Sequence, residues 1–325
     1  MKKKDKAIFT KLFEKDNIMI IIHKNPDGDT MGSGFALCHA LQKRGKRVFV
    51  ACSDAIKKRM LFVSDGIAEL NLQFEPDYII SVDTATKELT GDSMQKYADR
   101  VDCSIDHHYT NTLYAKDNIV NDASSSVGEL LYDLMKACRI EIDYYIAEKL
   151  YTALSFDTGC FRFSNATSHT HYVASKLLKY NIPASIINIK LFDIASLQQL
   201  KIENAAVSSV KQFRNNCITI VTVTQKMLKE LDAQDVDIEG LTTITRRVEG
   251  TIVGITLRET AEGEIKVSLR SSDIFDVSKV AMLFGGGGHV KASGCILPGP
   301  VEEAEARILK AIFEEWDKTY DNTDR

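Results

Sequence analysis

The sequence predicts an α/β protein with two domains: a parallel-sheet domain with helices on both faces, and a smaller α/β domain at the C-terminal end. Three observations support this prediction. The chain has 325 residues, whereas a single domain commonly takes about 100–200. In the N-terminal half, short and wholly apolar runs alternate with segments of helical period, which is typical of buried parallel strands joined by helices. A second set of strand-like segments begins near Asn216.

The N-terminal half is predicted to alternate strands and helices. Its strand candidates are the apolar runs Asn17–Ile22, Arg47–Cys52, Tyr78–Val82 and Val101–Ile105. Its helix candidates have apolar residues at helical spacing, and they are Thr30–Lys43, Ser125–Cys138 and Tyr144–Phe156. Gly45 follows the first of these helices and is a favourable terminating residue.

Beyond Ser168 the pattern is helical to about Val210, and only Pro183 interrupts it, at a position that favours a helix start. We therefore divide the chain into a first domain of residues 1–195, a helical linker of residues 196–210 and a second domain of residues 211–325. The second domain has three strand candidates: Cys217–Thr224, Thr251–Arg258 and Glu264–Arg270. Its helix candidates are Asp276–Phe284, with an Asp N-cap, and Val301–Trp316. The polar tail Asp321–Arg325 is expected to fray.

Composition and charge exclude several classes of protein. The chain has 41 basic and 45 acidic residues and a formal net charge of −4, so it lacks the basic surface of a duplex-DNA binder. No apolar run approaches the length of about 20 residues that a membrane span needs, and Ile18–Ile22 is too short for a secretory signal. The seven cysteines are scattered and form no CxxC pair. We therefore expect a cytoplasmic protein with reduced thiols and no membrane partner.

Acidic and histidine side chains follow the ends of three predicted strands and one predicted helix. They are His23, Asp27 and Asp29 after the first strand, Asp83 after the third, Asp106, His107 and His108 after the fourth, and Asp157 after the helix. Because the carboxyl ends of parallel strands meet at one edge of a sheet, we expect these residues to converge. Clustered carboxylates need positive charge among them, and imidazole with carboxylate suits Mn²⁺ or Mg²⁺. Four of these five Asp and two of these three His are already enough for two ions that share a carboxylate, a site typical of phosphoryl transfer.

Each segment also has a simpler structural interpretation. Asn25–Asp29 is a favourable turn in which an Asp caps its own backbone, and Asp83 is a possible helix N-cap. The pair His107–His108 is equally compatible with a polar loop. The joint occurrence of all the segments at the ends of predicted elements favours the metal site.

These motifs resemble those of the DHH phosphoesterase family. The triplet is Asp106–His108, and the other matching segments are His23–Ser33, Ser81–Asp83 and Phe156–Phe163. Three C-terminal segments are similar to the DHH-associated domain: Lys266–Ser271, Gly285–His289 and Ala292–Gly294. Within the family the chain is most similar to the stand-alone oligoribonuclease and 3′-phosphoadenosine-5′-phosphate (pAp) phosphatase group, called NrnA-like. Thr30 departs from the group's usual Ala.

The resemblance implies a role for each clustered residue in a catalytic, metal-binding first domain. His23 and Asp27 would hold one divalent ion, and Asp29, His107 and Asp157 would hold the other, with Asp83 as the bridge. Mn²⁺ is the expected ion, with Mg²⁺ or Co²⁺ as alternatives. Asp106 would support the site by hydrogen bonds, and His108 would face the substrate phosphate.

Further residues are implied to bind substrate. Asn25 and Ser33 would orient phosphate or ligands, and Ser125 would meet an anion at a helix start, where a plain N-cap is an equal alternative. In the second domain the substrate-binding set is Arg258, Arg270, Ser271, Gly286, Gly287, Gly288 and His289. Arg162 and the pair Arg246–Arg247 are instead predicted to be merely exposed charges.

The resemblance implies a metal-dependent phosphohydrolase acting on short single-stranded RNA. Its substrates would be oligomers of about two to five nucleotides, including pApA. The net negative charge of the chain fits such short substrates, because few phosphates need few basic contacts. It would release mononucleotides and could also dephosphorylate pAp. Alternatives are a phosphodiesterase for cyclic di-AMP or linear di-adenylate, an inorganic pyrophosphatase, and a nucleotide-binding regulator without turnover. A homodimer is an expectation from the family only.

Overall fold

The computed structural model describes residues 2–234, 238, 240–272 and 274–320. It divides the chain into two compact units, Met1–Ile194 and Ala195–Arg325. The predicted fraying of the tail Asp321–Arg325 concerns residues outside the described part. No helix in the described ranges has the length and apolar character needed to cross a bilayer.

A five-stranded parallel sheet forms the centre of the first unit. Its strands are β1 (Ile18–Ile22), β2 (Val48–Ala51), β3 (Tyr78–Val82), β4 (Cys103–Asp106) and β5 (Asp117–Val120). They lie in the order β2-β1-β3-β4-β5, and every neighbouring pair is parallel. The first four strands confirm the apolar runs in the sequence. We did not predict β5, because its polar start at Asp117 and Asn118 obscures the apolar pattern.

Helices cover both faces of this sheet, as predicted. They are α1 (Lys3–Leu12), α2 (Gly28–Gln42), α3 (Gln95–Ala98), α4 (Val127–Ala137), α5 (Tyr144–Asp157), α6 (Ser168–Leu177) and α7 (Ala184–Asn188). Ile20 and Val82 face the core formed with α2, α4 and α5, whereas Ile21 and Ile79 face a smaller core that contains Tyr97 of α3. Sequence analysis missed α1, whose lysine-rich surface conceals a buried apolar face.

Close contact between α2 and α5 brings two of the predicted ligands to the same side of the sheet. A Cβ atom added to Gly32 of α2 would lie 2.5 Å from the carbonyl oxygen of Lys149 in α5. Only glycine therefore permits this helix separation. Asp29 lies in the first turn of α2, and Asp157 is the last residue of α5.

The second unit is built on a six-stranded mixed sheet. Its strands are β6 (Lys211–Phe213), β7 (Ile218–Val223), β8 (Val253–Glu259), β9 (Glu264–Ser271), β10 (Gly287–His289) and β11 (Ala292–Pro298), in the order β10-β11-β9-β8-β7-β6. Its helices are α8 (Leu197–Ser208), α9 (Gln225–Glu230), α10 (Ile244–Arg247), α11 (Val277–Met282) and α12 (Val301–Tyr320). One sheet face packs on α11 and α12, as the burial of Leu269 with Val280 and Ile308 shows.

Two predictions for this unit need correction. The segment 196–210 is not a separate linker, because Ile202 and Ala206 of α8 are buried against Val221 and Val223 of β7. No strand was predicted in the glycine-rich segment Gly285–His289, but residues from Gly287 onward form β10 and pair with β11. The Asp276 N-cap of α11 is confirmed, since its carboxylate accepts a hydrogen bond from the amide of Ser278.

Candidate metal centre

The structure brings the six predicted ligand residues together beyond the carboxyl ends of β1, β3 and β4. The first cluster surrounds His23, whose Nε2 atom lies 3.6 Å from Oδ2 of Asp27 and 3.6 Å from Oδ2 of Asp83. The candidate ligand atoms of these three residues all lie within 4.8 Å of one another. This spacing is compatible with one cation held between them.

The second cluster surrounds His107. Its Nε2 atom lies 3.1 Å from Oδ2 of Asp157, 3.7 Å from Oδ2 of Asp29 and 3.7 Å from Oδ1 of Asp83. Each oxygen of Asp83 therefore faces a different imidazole, and this carboxylate stands between the two clusters.

Asp83 combines burial with an unusual backbone conformation. Its side chain is only 3% exposed, and among the described residues Oδ1 has no hydrogen-bond partner. Its φ of 55° lies in the left-handed region, which is costly for a residue with a Cβ atom. A buried carboxylate oxygen without a partner is destabilising, and a divalent cation would supply the missing interaction. The set of imidazole nitrogens and carboxylate oxygens fits such a cation.

Hydrogen bonds orient both central histidines with Nε2 towards the carboxylates. Nδ1 of His23 donates to the carbonyl oxygen of Lys24 at 2.7 Å, and Nδ1 of His107 donates to that of Ser124 at 3.2 Å. A backbone acceptor on Nδ1 leaves the Nε2 lone pair free, as is usual for metal-binding histidines.

Asp29 is fixed by the start of α4. Its Oδ2 accepts a hydrogen bond from the amide of Val127 at 2.7 Å, and Oδ1 accepts one from the amide of Gly128 at 3.0 Å. Ser33 adds a third hydrogen bond, from its Oγ to Oδ1, at 2.9 Å. The anion at this helix N-terminus is therefore a carboxylate of the protein itself.

Ser33 was predicted to orient phosphate or ligands and Ser125 to meet an anion at a helix start, and the structure buries both side chains. Ser33 donates to Asp29, as described above. Ser125 donates to Oε2 of Glu129 at 2.7 Å, and the adjacent Ser126 is the N-cap of α4. Both hydroxyls thus donate to carboxylates of the protein, and for Ser33 this contact matches the predicted alternative of orienting a ligand.

Asp106 organises the loop that carries both histidines of the triplet. Its Oδ1 accepts hydrogen bonds from the amides of His107 and His108 and from Nδ1 of His108, and its Oδ2 accepts one from Nδ2 of Asn111 at 2.6 Å. The side chain of His108 is 46% exposed. Its Nδ1 atom is bound to Asp106, and its Nε2 atom forms no hydrogen bond within this loop. Asn111 was missed by sequence analysis, although its position in the same short polar loop was a usable signal.

Asn165 is a second supporting residue that sequence analysis missed. Its Nδ2 group donates to the carbonyl oxygens of Ser125, at 2.9 Å, and of Asp157, at 3.1 Å. It therefore ties the start of α4 to the end of α5, although the two segments are far apart in sequence. Only the folded chain reveals this role.

The electrostatics reflect several carboxylates packed around two imidazoles. Burial alone would lower the pKa of His23, but Asp27 and Asp83 outweigh it and raise this pKa to about 11. Burial also opposes protonation of His107, whereas the three carboxylates around it raise its pKa to about 10. Burial and neighbouring carboxylates raise the pKa of Asp29 well above its ordinary value. Protons thus offset the negative charge when no cation is bound, and cation binding would displace them.

The remaining predicted site residues are Asn25 in the first unit and a set of residues in the second unit. Asn25 is exposed in the loop after β1, where its φ is 52°. Its backbone amide donates a hydrogen bond to Oδ2 of Asp54. In the second unit, Arg258 lines a cavity of about 130 Å³ together with Lys266. Arg270 lies on the same side of β9 as Lys266.

Other substrate-binding predictions for the second unit differ in exposure. His289 is exposed and Ser271 is mostly buried. Gly286 packs so tightly that an added Cβ atom would lie 2.2 Å from the carbonyl oxygen of Gly294. Burial lowers the pKa of Arg270, and the positive charge of Arg246 lowers it further. Arg246, predicted to be a simple surface charge, therefore lies close to Arg270.

Two family models match the chain. The model of the DHH family N-terminal domain matches residues 17–155, and the model of the DHHA1 domain matches residues 217–317. These matches confirm the resemblance that the motifs indicate.

Several relatives and solved structures are similar to this chain over most of its length. A bifunctional oligoribonuclease and PAP phosphatase NrnA from Thermus thermophilus is 28% identical over 301 residues, which cover 92% of this chain and 90% of the relative. The protein of that name from Bacillus subtilis is 26% identical over 285 residues, covering 86% of this chain and 88% of the relative. An exopolyphosphatase-related protein from Bacteroides fragilis has a TM-score of 0.88 at 27% identity, with 96% of each chain covered. RecJ from Thermus thermophilus in complex with Mn²⁺ shares the fold, with a TM-score of 0.53 at 12% identity, over 95% of this chain and 54% of RecJ.

Proposed function

Because this chain is a DHH family phosphoesterase with a C-terminal DHHA1 domain, we propose that it degrades short oligoribonucleotides, including pApA, to mononucleotides and also removes the 3′-phosphate of pAp. The observation that carries this proposal is the pair of histidine–carboxylate clusters that share Asp83. Such a pair suits in-line displacement at phosphorus. The NrnA relatives, which match this chain over most of their length, support the choice of substrate.

We assign His23 and Asp27 to one divalent cation and Asp29, His107 and Asp157 to a second, with Asp83 between them. Mn²⁺ is the proposed ion, because mixed imidazole and carboxylate ligands suit it. Cations bound here would neutralise phosphate charge and lower the pKa of an attacking water. The protein keeps these ligands in place with hydrogen bonds from backbone groups, Ser33 and Asn165.

His108 is the proposed proton donor to the leaving oxygen. The hydrogen bond to Asp106 raises the pKa of His108 and outweighs the effect of its burial, so this contact stabilises the protonated, proton-donating form of the imidazole. Because Asp106 holds Nδ1, the other ring nitrogen is the one that can transfer a proton. Asp106 acts through His108 and does not touch the reacting atoms.

The second unit is proposed to bind nucleotide through Arg258, Arg270 and His289. Arg258 and Lys266 are opposite each other on β8 and β9, and Arg270 follows on the same side of β9. This cationic strip is short, and the chain as a whole is acidic. Both properties suit a ligand with few phosphates better than a long nucleic acid.

A substrate panel tests the proposal. Purified protein with Mn²⁺ is incubated with pApA, longer oligoribonucleotides, pAp, cyclic di-AMP and pyrophosphate, and products are separated by anion exchange. We expect mononucleotides from the oligomers and AMP with phosphate from pAp. The proposal is wrong if these substrates stay intact with Mn²⁺, Mg²⁺ and Co²⁺. Turnover confined to cyclic di-AMP or pyrophosphate would also contradict it and would identify one of the alternatives.

Matched variants test the site. His107→Ala and Asp83→Asn should lose at least about 100-fold in kcat, because both remove proposed ligands. The control is the exposed pair His169 and Asp133, whose side chains lie 2.9 Å apart in the same unit. His169→Ala and Asp133→Asn should keep wild-type activity. Full activity in both site variants would refute the metal assignment.

A further inference from the structure

The turn that follows Asp157 holds an arginine in a position that its sequence pattern did not suggest. Gly159, Cys160 and Phe161 have φ values of 56°, 57° and 63°. Three consecutive residues in the left-handed region are costly, and such strain concentrates at functional sites. Arg162, predicted from the alternating pattern to be a solvated charge, therefore lies in a tight turn and not in a strand.

Two hydrogen bonds fix Arg162 beside the proposed metal ligand. Its amide donates to the carbonyl oxygen of Thr158 at 2.9 Å, and its Nε donates to that of Gly159 at 2.6 Å. Both acceptors belong to the first two residues after Asp157. Arg162 is exposed, but these two hydrogen bonds hold the start of its guanidinium group close to the end of α5.

The guanidinium group of Arg162 also contacts an aromatic ring. The guanidinium carbon lies 5.6 Å from the ring centroid of Phe192, in the π-helix Ile189–Asp193. Phe192 in turn stacks on Phe156, with ring centroids 6.4 Å apart, and Phe156 directly precedes Asp157. Short π-helices are often found at functional sites.

The arginine lines a cavity of about 170 Å³ in the first unit. The other lining residues are Cys160, Asn188, Phe192 and Asp193. Asn188 is rigidly placed, because it accepts a hydrogen bond from Ser155 at 2.6 Å and donates one to Tyr151 at 3.2 Å.

The chemistry of this cavity points to a phosphate. With Nε committed to Gly159, the two terminal nitrogens of Arg162 form no hydrogen bond or ion pair with any residue that the structure describes. A planar pair of N–H donors matches two phosphate oxygens, and stacking on an aromatic ring orients it in advance. The carboxylate of Asp193 lies farther than ion-pair distance from the guanidinium, so the charge of Arg162 is not already neutralised there.

We propose that Arg162 binds the phosphate of the substrate that is not cleaved, which in pAp and pApA is the 5′-phosphate. This assignment rests on the proposed function, because it requires a substrate with a second phosphate near the scissile one. Arg162 would then select phosphorylated nucleotides over those with a free 5′-hydroxyl. Phe192 is a positioning residue that orients the guanidinium.

A pair of substrates that differ only in the 5′-phosphate tests this role. Steady-state kinetics with Mn²⁺ are measured on pAp and on adenosine 3′-monophosphate for the wild type, Arg162→Gln and Arg162→Lys. For pAp, Arg162→Gln should lower kcat/KM about 10- to 100-fold, mainly through KM, as expected for a lost charge-assisted contact. For adenosine 3′-monophosphate it should leave kcat/KM unchanged. Arg162→Lys should give an intermediate loss on pAp, because it keeps the charge and loses the planar pair of donors.

The control is Arg100→Gln, which alters an exposed arginine of the same unit and should affect neither substrate. Equal losses on both substrates in Arg162→Gln and Arg162→Lys would indicate a structural role and overturn the assignment, as would no loss on either. If the wild type hydrolyses neither substrate, the proposed function fails and the assignment fails with it.

Discussion

Replacement of Ser33 with alanine removes one of the three hydrogen bonds that hold the carboxylate of Asp29. The hydroxyl is fully buried and lies 2.9 Å from Oδ1, so no water would take its place without rearrangement. A hydrogen bond to a charged group contributes about 1.5–3 kcal/mol. The amides of Val127 and Gly128 remain, so we take the lower part of this range. One of the two proposed cation sites should therefore bind Mn²⁺ about 10- to 30-fold more weakly.

This prediction distinguishes support of a ligand from contact with substrate. If Ser33 supports Asp29, activity of Ser33→Ala on pAp should be low at limiting Mn²⁺ and recover at saturating Mn²⁺, with KM for pAp unchanged. Metal content after dialysis should fall from two ions per chain towards one. The control is Ser175→Ala, which removes an exposed hydroxyl bound to a backbone carbonyl in α6. A raised KM for pAp that persists at saturating Mn²⁺ would refute the reasoning, as would unchanged Mn²⁺ affinity.

Four further predictions follow from individual contacts. Asp106→Asn should lower kcat at least about 10-fold and move the alkaline limb of the pH–rate profile to lower pH, because it weakens the hydrogen bond that raises the pKa of His108, the proposed proton donor; an unchanged profile would contradict this. Mn²⁺ at 100 times its Kd should stabilise the protein by about 2.7 kcal/mol per site, a shift of roughly 5–10 °C in Tm by calorimetry, and no shift would exclude a specific site. Gly32→Ala should destabilise by about 1–3 kcal/mol in urea unfolding, because its Cβ atom would lie 2.5 Å from a backbone oxygen of α5; wild-type stability would show that α2 moves freely. Asp143→Ala should cost about 1 kcal/mol at pH 7. Burial raises the pKa of Asp143, but hydrogen bonds from the α5 amide and neighbouring side chains outweigh it, so the pKa is lowered in the folded protein. The stabilisation by the charged Asp143 is therefore fully present above the pKa of the unfolded chain. The difference in stability between wild type and Asp143→Ala should disappear as pH falls through the pKa of the folded protein.

The parts of the fold that sequence reasoning found share one property: their local pattern matched their environment. Strands β1, β3 and β4 are buried on both faces, so their apolar runs are nearly continuous. Strand β5 has only partly buried residues at its start, and its polar side chains removed the signal. The same reasoning explains why β10 was missed, because a strand made largely of glycine carries no hydrophobic pattern.

Residue roles were harder to predict than residue locations. Ser33 follows predicted ligands in the same segment and was expected to orient phosphate or ligands, whereas Ser125 precedes a predicted helix and was expected to meet an anion. In the structure both hydroxyls are buried and donate to carboxylates of the protein, which the sequence could not show. Arg162 is exposed, as predicted, but its alternating neighbours suggested a strand, whereas three consecutive left-handed residues turn the chain back on itself.

The sequence by itself determined the fold class, the family and the set of acidic and histidine side chains that gather at one sheet edge. It could do so because parallel strands place their carboxyl ends together whatever the details of packing. Only the tertiary structure decided that Asp83 faces the imidazoles of His23 and His107, that amides at the start of α4 donate to Asp29, and that the guanidinium of Arg162 lies over the ring of Phe192. Each of these contacts joins segments whose relative placement depends on helix packing, and local sequence patterns do not encode such distances.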